Sequence, residues 1–180
     1  MNSMANDFQT DLAYSHSMED APWWKKVYDS FFPGNKGIFS NRKDGQLQRY
    51  GIDRTVVLSS GKAVYVDEKV RREDYGDIAL EYVANDTCGA LGWVEKPLYC
   101  DWIAYAIEPS CICYMLPVHP LQVAWQQNKS IWLQSYRTIS ARNRNYNTLS
   151  CCVPVDVLFS AIGNSHRVRW TQELNMEFPF

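Results

Sequence analysis

Three charged side chains occupy positions in two predicted strands where apolar residues would be expected. The stretch GIDRTVVLSSGKAVYVDEKV, residues 51–70, predicts two strands joined by a tight turn, with Asp53 on the first and Asp67 and Lys69 on the second. Because side chains alternate along a strand, Asp67 and Lys69 share one face, and Glu68 takes the other. Two acids and a lysine are residue types that can hold a divalent cation and stabilise charge on a phosphate.

The length of the turn decides whether Asp53 faces Asp67. If residues 59–61 form a three-residue loop, Gly61 takes the left-handed position that such loops favour, and Asp53 falls directly opposite Asp67. If the loop has only two residues, Asp53 falls opposite Glu68. Two-residue turns prefer Asn-Gly or a glycine in first place, so the sequence favours the three-residue loop.

Two carboxylates that face each other across a strand pair repel, and they raise one another's pKa unless a cation lies between them. Lys69 offsets part of this repulsion, and Mg²⁺ would offset more, because it takes oxygen ligands from one or two carboxylates. The simpler interpretation is an ordinary surface hairpin, in which Asp67 and Lys69 form a weak ion pair on the wet face. Judged from spacing alone, the surface hairpin is the commoner arrangement.

The rest of the chain predicts the elements that position this hairpin. The stretch SMEDAPWWKKVYDSFFPG predicts a helix capped by Ser17, because its apolar residues recur at helical spacing. The stretch DIALEYVA predicts a third strand, DWIAYAI and CICYMLPV predict two more, and HPLQVAWQQNKSIWLQS predicts a second helix. This order predicts a mixed α/β domain built around a single sheet.

A helix followed by one strand with Asp53 and a second with the triplet Asp67-Glu68-Lys69 resembles the PD-(D/E)xK nuclease superfamily. Its members include type II restriction endonucleases, Holliday-junction resolvases and phage exonucleases. The resemblance covers residues 17 to about 130, and SCCVPVDVLFSAI could supply a later strand and helix. Ile52 replaces the proline of the motif's name, and Asp67 replaces the commoner glutamate. The resemblance implies the restriction-endonuclease-like αβββαβ core, a single mixed sheet flanked by helices.

The resemblance implies a Mg²⁺-dependent deoxyribonuclease that hydrolyses phosphodiester bonds, with Mn²⁺ as an alternative metal. Asp53 and Asp67 would hold the metal, helped by the carbonyl of Glu68, and Lys69 would position the water or the phosphate. Acids on the first helix or third strand are further candidate ligands, although capping or a solvated strand face explains them as well. These candidates are Glu19, Asp20 and Glu81. Two glutamines before the first strand, Gln46 and Gln48, carry little weight as site residues.

Five arginines are candidates for binding nucleic-acid phosphates. The segment RTISARNRNYN mixes arginine, asparagine and tyrosine, which make backbone contacts and stack on bases, although a solvated loop explains it equally well. The candidates are Arg71, Arg72, Arg137, Arg142 and Arg144. A net charge of −2 and a pI near 5.9 count against a protein that coats DNA nonspecifically, but not against an enzyme with a local basic groove.

Length and composition predict a cytoplasmic protein with a polar arm over residues 1–16 and a single domain over residues 17–180, which the resemblance implies is a nuclease domain. The start of the chain lacks the apolar region of a signal peptide, and no apolar run is long enough to predict a membrane span. The six cysteines contain no CxxC pair and predict reduced, mostly buried thiols. The resemblance adds a phage or mobile-element origin, action in a host cytoplasm, DNA as partner and, by analogy, a homodimer.

Two other functions stay open. A catalytically inactive nucleic-acid-binding or protein-interaction module on the same fold would have no need of two acids where a phosphate should lie. A plain α/β interaction protein, unrelated to nucleases, would leave Asp53 and Asp67 far apart or on opposite faces. The positions of these two carboxylates across the strand pair therefore discriminate among the interpretations.

Overall fold

The computed structural model describes residues 20–163 and 166–171, together with Tyr14, Ser17 and Met18. The arm predicted for residues 1–16 therefore lies outside the described residues, apart from Tyr14. Four α-helices lie wholly within the described part: α1 (Trp23–Phe31), α2 (Gly45–Arg49), α3 (Val118–Ser135) and α4 (Val155–Ile162). A short 3₁₀ helix spans Glu108–Ser110.

Ten strands in the described part of the chain form two sheets. The strands are β1 (Gly37–Ser40), β2 (Arg54–Val57), β3 (Ala63–Arg71), β4 (Asp77–Asn85), β5 (Ala90–Leu91), β6 (Trp102–Ile107), β7 (Ile112–Pro117), β8 (Thr138–Arg142), β9 (Asn147–Pro154) and β10 (Arg167–Arg169). A six-stranded mixed sheet has the order β1-β2-β3-β6-β7-β10, and a four-stranded antiparallel sheet has the order β5-β4-β9-β8. The pair β3–β6 is parallel, so the protein is a mixed α/β structure with two sheets.

The hairpin β2–β3 has the three-residue loop that the sequence favours. The backbone N–H of Leu58 donates to the carbonyl of Lys62 at 2.9 Å, and Gly61 takes the left-handed conformation with a φ of 86°. The antiparallel register that follows from this loop, extended one residue beyond β2, places Asp53 opposite Asp67. The prediction that the two acids face each other is therefore confirmed.

The first helix exists as predicted, but its start is different. Helix α1 begins at Trp23 after Pro22, whose fixed φ and missing N–H suit a helix start. The hydroxyl of Ser17 donates to the carbonyl of Tyr14, so the prediction that Ser17 caps this helix is wrong. The predicted apolar stripe packs onto the six-stranded sheet through Trp24, Val27 and Tyr28, with Phe31 at its margin.

The prediction of a single sheet is wrong, because β4 does not extend the sheet of β2 and β3. The free edge of β3 is taken by β6, whose residues 103–107 are all buried, and such a continuous apolar run suits the middle of a sheet. In β4 the buried Ile78 and Leu80 alternate with partly exposed neighbours, which is the pattern of a strand with one packed face. Strand β4 pairs with β9 instead, so the αβββαβ order is not reproduced within one sheet.

Hydrophobic cores lie on both faces of the six-stranded sheet. On one face, α1 covers side chains of β2, β3, β6 and β7. On the other, α3, α4 and the four-stranded sheet pack against β6 and β7. The six cysteines are free thiols, of which four are buried and only Cys88 is exposed, in agreement with the sequence. No helix among the described residues is long and apolar enough to cross a membrane.

Candidate active site

The two acids and the lysine of the hairpin form one cluster. Asp53 and Asp67 are 7% and 4% exposed, and their carboxyl groups are close enough for each to shift the pKa of the other. The Nζ atom of Lys69 donates to Oδ1 of Asp67 at 2.7 Å. The structure thus brings the three residues that the sequence nominates together on one face of the hairpin, with both carboxyl groups buried and Lys69 partly exposed.

Helix α2 and the backbone of β3 fix the orientation of Asp53. Its Oδ2 atom accepts a hydrogen bond from the backbone N–H of Glu68 at 2.7 Å, and its Oδ1 atom accepts one from Nε2 of Gln48 at 2.9 Å. Asp44 caps α2, which carries Gln48, by accepting hydrogen bonds from two backbone N–H groups of the first turn. Gln48 is therefore a positioning residue. In the described part of the chain, the side chain of Gln46 makes no hydrogen bond to Asp53 or Asp67.

The two carboxyl groups of the pair have pKa values shifted in opposite directions. Burial raises the pKa of Asp67 to about 6, the charge on Asp53 adds to the rise, and Lys69 opposes it. Burial would also raise the pKa of Asp53, but hydrogen bonds from Asp67 and from the N–H of Glu68 outweigh it and lower this pKa. Burial by itself lowers the pKa of Lys69, but the carboxylate of Asp67 raises it, so the ammonium stays charged. The pair therefore holds one proton in mildly acidic solution and loses it near neutrality.

Replacing Asp67 with asparagine should make the free energy of unfolding less sensitive to pH. The folded protein keeps the Asp67 proton up to a pKa of about 6, whereas the unfolded chain releases it near the ordinary value of 3.8. The wild-type protein therefore loses stability as the pH rises between these values, by about 1.4 kcal/mol per pKa unit. We expect the stability of Asp67→Asn relative to wild type to increase by about 2–3 kcal/mol between about pH 4 and about pH 8, measured by urea unfolding.

The matched variant is Asp53→Asn, since the pKa of Asp53 is lowered in the folded protein. Its effect on relative stability should appear below about pH 4 and have the opposite sign, because the stabilising contacts of the wild-type carboxylate are lost as it protonates. Between about pH 4 and about pH 8 its difference from wild type should stay flat. A pH-independent difference between Asp67→Asn and wild type would contradict the raised pKa of Asp67.

The backbone of Gly51 lies close to both the carboxylate of Asp67 and the side chain of Leu98. Gly51 has a φ of 71°, and a Cβ atom at this position would lie 3.0 Å from Cδ2 of Leu98 and 3.9 Å from Oδ2 of Asp67. Glycine is needed here both for its left-handed conformation and for the close approach of the backbone to the site.

Replacing Gly51 with alanine should destabilise the protein by about 1–3 kcal/mol, because the left-handed conformation is strained for alanine and the added methyl group displaces Leu98. Chemical denaturation would measure the effect. Gly45→Ala in α2 is the control, because Gly45 has open space around it and no left-handed φ. Alanine there should be neutral or slightly stabilising, and equal losses in the two variants would contradict the account of Gly51.

A second charged cluster lies on the opposite face of β3 and surrounds Glu68. The hydroxyl of Tyr28 donates to Oε1 of Glu68 at 2.6 Å, Nε of Arg54 donates to the same oxygen at 2.9 Å, and a guanidinium nitrogen of Arg42 donates to Oε2 at 2.6 Å. Burial raises the pKa of Glu68, and the two guanidinium groups oppose this rise. The side chain of Glu68 therefore points away from the Asp53–Asp67 pair, as strand alternation predicts, and only its backbone carbonyl could serve the metal site.

The further acidic candidates lie in different places in the structure. Asp20 pairs with Arg54 at 3.2 Å beside the Glu68 cluster, and its side chain is largely exposed, so it does not join the carboxylate pair. Glu19 lies outside the described residues. Glu81, on β4, is close enough to Lys69 to raise the pKa of that lysine, and burial raises the pKa of Glu81 itself. Glu81 is thus the candidate acid that the fold brings beside Lys69.

Lys69 and Glu81 line a cavity of about 260 Å³ between the two sheets. One wall comes from the end of β3, including Arg71 and Arg72, and the other comes from β4, β8 and β9. The guanidinium groups of Arg71 and Arg137 lie 4.9 and 5.1 Å from the ring centroid of Tyr75. Three of the five arginine candidates therefore lie in or near this cavity.

The other two arginine candidates are exposed at the β8–β9 hairpin. Arg142 ends β8, and Arg144 lies in the following turn. Ala141 of β8 lines the cavity, so alternation along the strand turns the neighbouring Arg142 side chain to the other face of the sheet. Arg71 forms an ion pair with Asp77, so its charge is partly neutralised within the protein.

The chemistry of the Asp53–Asp67 pair fits a divalent cation. Two carboxylates this close repel each other, and either a proton or a hard cation with oxygen ligands would relieve the repulsion. Among the described residues, however, no group of three or more His, Cys, Asp or Glu side chains is arranged to hold a metal ion. Any cation held by Asp53 and Asp67 would therefore keep most of its ligands as water or substrate oxygens.

Comparison of the chain with protein-family models, with curated proteins and with solved structures finds no match. The interpretation of the site therefore rests on its own residues.

Proposed function

We propose that the protein is a metal-dependent nuclease that hydrolyses DNA phosphodiester bonds at a PD-(D/E)xK-type site formed by Asp53, Asp67 and Lys69. The observation that supports this most strongly is the cross-strand contact of two buried carboxyl groups beside a charged lysine. A hairpin under selection for stability alone has no reason to bury two facing acids, because like charges across a strand pair are destabilising. In this proposal the β2–β3 hairpin and α1 correspond to the start of the restriction-endonuclease-like core.

Each residue of the proposed site would have a distinct role in the hydrolysis. Asp53 and Asp67 would hold Mg²⁺ or Mn²⁺, which would stabilise the negative charge that develops on the phosphate. Lys69, whose side chain is 32% exposed and lines the cavity, would bind a phosphate oxygen through Nζ. Gln48 and the N–H of Glu68 keep Asp53 fixed, so that the site needs little reorganisation when substrate arrives.

DNA would approach through the cavity between the sheets. Arg71 and Arg72 line its wall with Lys69, so a phosphate backbone would meet positive charge there, while the exposed Arg142 and Arg144 would contact it only outside the cavity. Such contacts position the substrate without reading its sequence.

The test is cleavage of supercoiled plasmid, linear duplex and branched DNA with Mg²⁺ or Mn²⁺, with a chelator as control. Asp67→Ala should abolish any metal-dependent cleavage, and circular dichroism should show that this variant is folded. Cutting by the wild-type protein that persists in Asp67→Ala, or that does not need metal, would show that the Asp53–Asp67 pair is not the active site.

A second candidate is a catalytically inactive nucleic-acid-binding or protein-interaction module on the same fold. It is favoured by the absence, among the described residues, of a third acid arranged with Asp53 and Asp67 as a metal site. DNA binding by the wild-type protein without cleavage of any of the three substrates, and without heat on titration with Mg²⁺ or Mn²⁺, would support this candidate over the nuclease.

A further inference from the structure

Two exposed tyrosines pack against each other beside the candidate active site. Tyr50 is 39% exposed and Tyr99 is 64% exposed, and their rings are tilted by 57° with centroids 4.7 Å apart. The backbone N–H of Tyr99 donates to the carbonyl of Tyr50 at 3.2 Å, which ties the two chain segments together. The pair is thus a defined feature in which each ring is partly exposed to solvent.

The chain fixes this tyrosine pair next to the carboxylates. Tyr50 immediately precedes Gly51, whose backbone approaches both the carboxylate of Asp67 and the side chain of Leu98, and Tyr99 immediately follows Leu98. The two segments that carry the exposed rings therefore meet beside the buried acid.

A third exposed tyrosine belongs to the same corner. Tyr65 is two residues before Asp67 on β3 and so lies on the same face of the sheet. Its backbone N–H donates to Oδ2 of Asp101, and its carbonyl accepts from the N–H of Asp101, both at 2.8 Å. Asp101 follows Tyr99 by two residues, so the segment that carries Tyr99 is anchored directly to the strand that carries Asp67.

We infer that Tyr50, Tyr99 and Tyr65 form a stacking platform for unpaired bases, and that the substrate is single-stranded DNA or a DNA with an unpaired segment at the cleavage point. This inference rests on the proposed nuclease function. Aromatic rings stack on any base whose face is free, whereas bases inside a duplex are already stacked on their neighbours. A base held on this platform would place its own phosphate beside the carboxylate pair.

The charges and side chains around the platform favour a nucleic acid over a protein partner. Exposed Arg49 precedes Tyr50, so a phosphate backbone would meet a cation at this rim. A protein-binding patch would be expected to add exposed aliphatic side chains. Among the described residues, the large exposed aliphatic side chains are Leu91 on β5 and Ile131 on α3, and neither element carries a platform tyrosine.

The test measures binding separately from cleavage. The full chain carrying Asp67→Asn, which should not cut, is titrated against a fluorescein-labelled single-stranded thymidine oligonucleotide and against a blunt duplex of equal length, with fluorescence anisotropy as the readout. Adding Tyr99→Leu or Tyr50→Leu should weaken binding of the single strand by about 5- to 150-fold per lost stacking contact and change duplex binding little.

Two controls make the result specific. Tyr99→Phe keeps the ring face and should bind the single strand as tightly as the parent, so a loss equal to that of Tyr99→Leu would overturn stacking as the cause. Ile131→Ala removes an exposed apolar side chain on α3 and should have no effect. Unchanged single-strand binding in both leucine variants, or tighter binding of the duplex than of the single strand, would overturn the inference.

Failure of this inference can be told apart from failure of the proposed function. If both leucine variants retain metal-dependent cleavage of duplex DNA, the nuclease function is supported and the stacking platform is contradicted. If single-strand binding depends on the tyrosines but the wild-type protein cuts no DNA, the stacking platform is supported and the nuclease function is contradicted.

Discussion

Replacing Lys69 with methionine should lower the rate of metal-dependent DNA cleavage by about 10²–10⁴-fold, because the variant loses the one positive charge that contacts Asp67 and faces the cavity. Methionine keeps most of the length of the side chain, so the packing around it should change little. Initial rates on the best DNA substrate, at saturating metal, are the measurement.

The controls for Lys69 come from the same hairpin. Lys69→Arg keeps the charge but changes its geometry, and we expect it to retain more activity than Lys69→Met. Lys62→Met removes an exposed lysine from the β2–β3 loop, away from the site, and should cut like wild type. Equal rates in Lys69→Met and Lys62→Met would mean that Lys69 has no part in the reaction.

Replacing Glu68 with glutamine should destabilise the protein by about 3–5 kcal/mol, a large part of the roughly 5–15 kcal/mol that ordinarily separates folded from unfolded protein. Glutamine keeps the shape of the side chain but removes the charge that pairs with Arg54 and Arg42 in a buried setting. Its amide would also place a donor against at least one of the groups that now donate to the carboxylate. Thermal or urea unfolding would give the change.

The matched control is the surface ion pair between Lys25 and Asp29 on α1, whose side chains are 74% and 44% exposed. Asp29→Asn should cost no more than about 1 kcal/mol, because water screens an exposed pair. A loss for Glu68→Gln no larger than that for Asp29→Asn would show that the buried network contributes little to stability.

The local structure of the site follows from short-range rules. Gly61 fixes the loop of the hairpin, the loop fixes the register, and alternation along β3 then sends Asp67 and Glu68 to opposite faces. Each step depends on residues close together in the chain, so the facing of Asp53 and Asp67 could be predicted from the sequence.

The sheet arrangement could not be predicted in the same way, because it depends on pairings between distant segments. Strand β4 follows β3 in the chain, yet its partner is β9, about 70 residues further on. The buried run of β6 is the signal that a more central strand would take the place beside β3, but periodicity does not say which strands pair.

The contacts of two further side chains, Gln48 and Asp20, could not be predicted for a related reason. Gln48 reaches Asp53 only because the short helix α2 turns back toward the start of β2, and a five-residue helix has too weak a periodic pattern to predict its direction. Asp20 was a candidate metal ligand because of its position near the first helix, but the choice between Arg54 and the carboxylate pair depends on which face of β3 that helix covers. No local pattern in the sequence indicates whether Asp20 contacts Arg54 or the Asp53–Asp67 pair.

The peptide bond between Asp67 and Glu68 connects two charge clusters that water hardly reaches. Its N–H group orients Asp53 on one face, while the side chain one bond away anchors Arg54 and Arg42 on the other. A change that lets Glu68 shift by a fraction of an ångström would therefore also move the donor that aligns Asp53. If the Asp53–Asp67 pair is the proposed active site, selection for greater stability in a library randomised at Arg42 and Arg54 would alter turnover as well, although neither residue needs to touch the substrate.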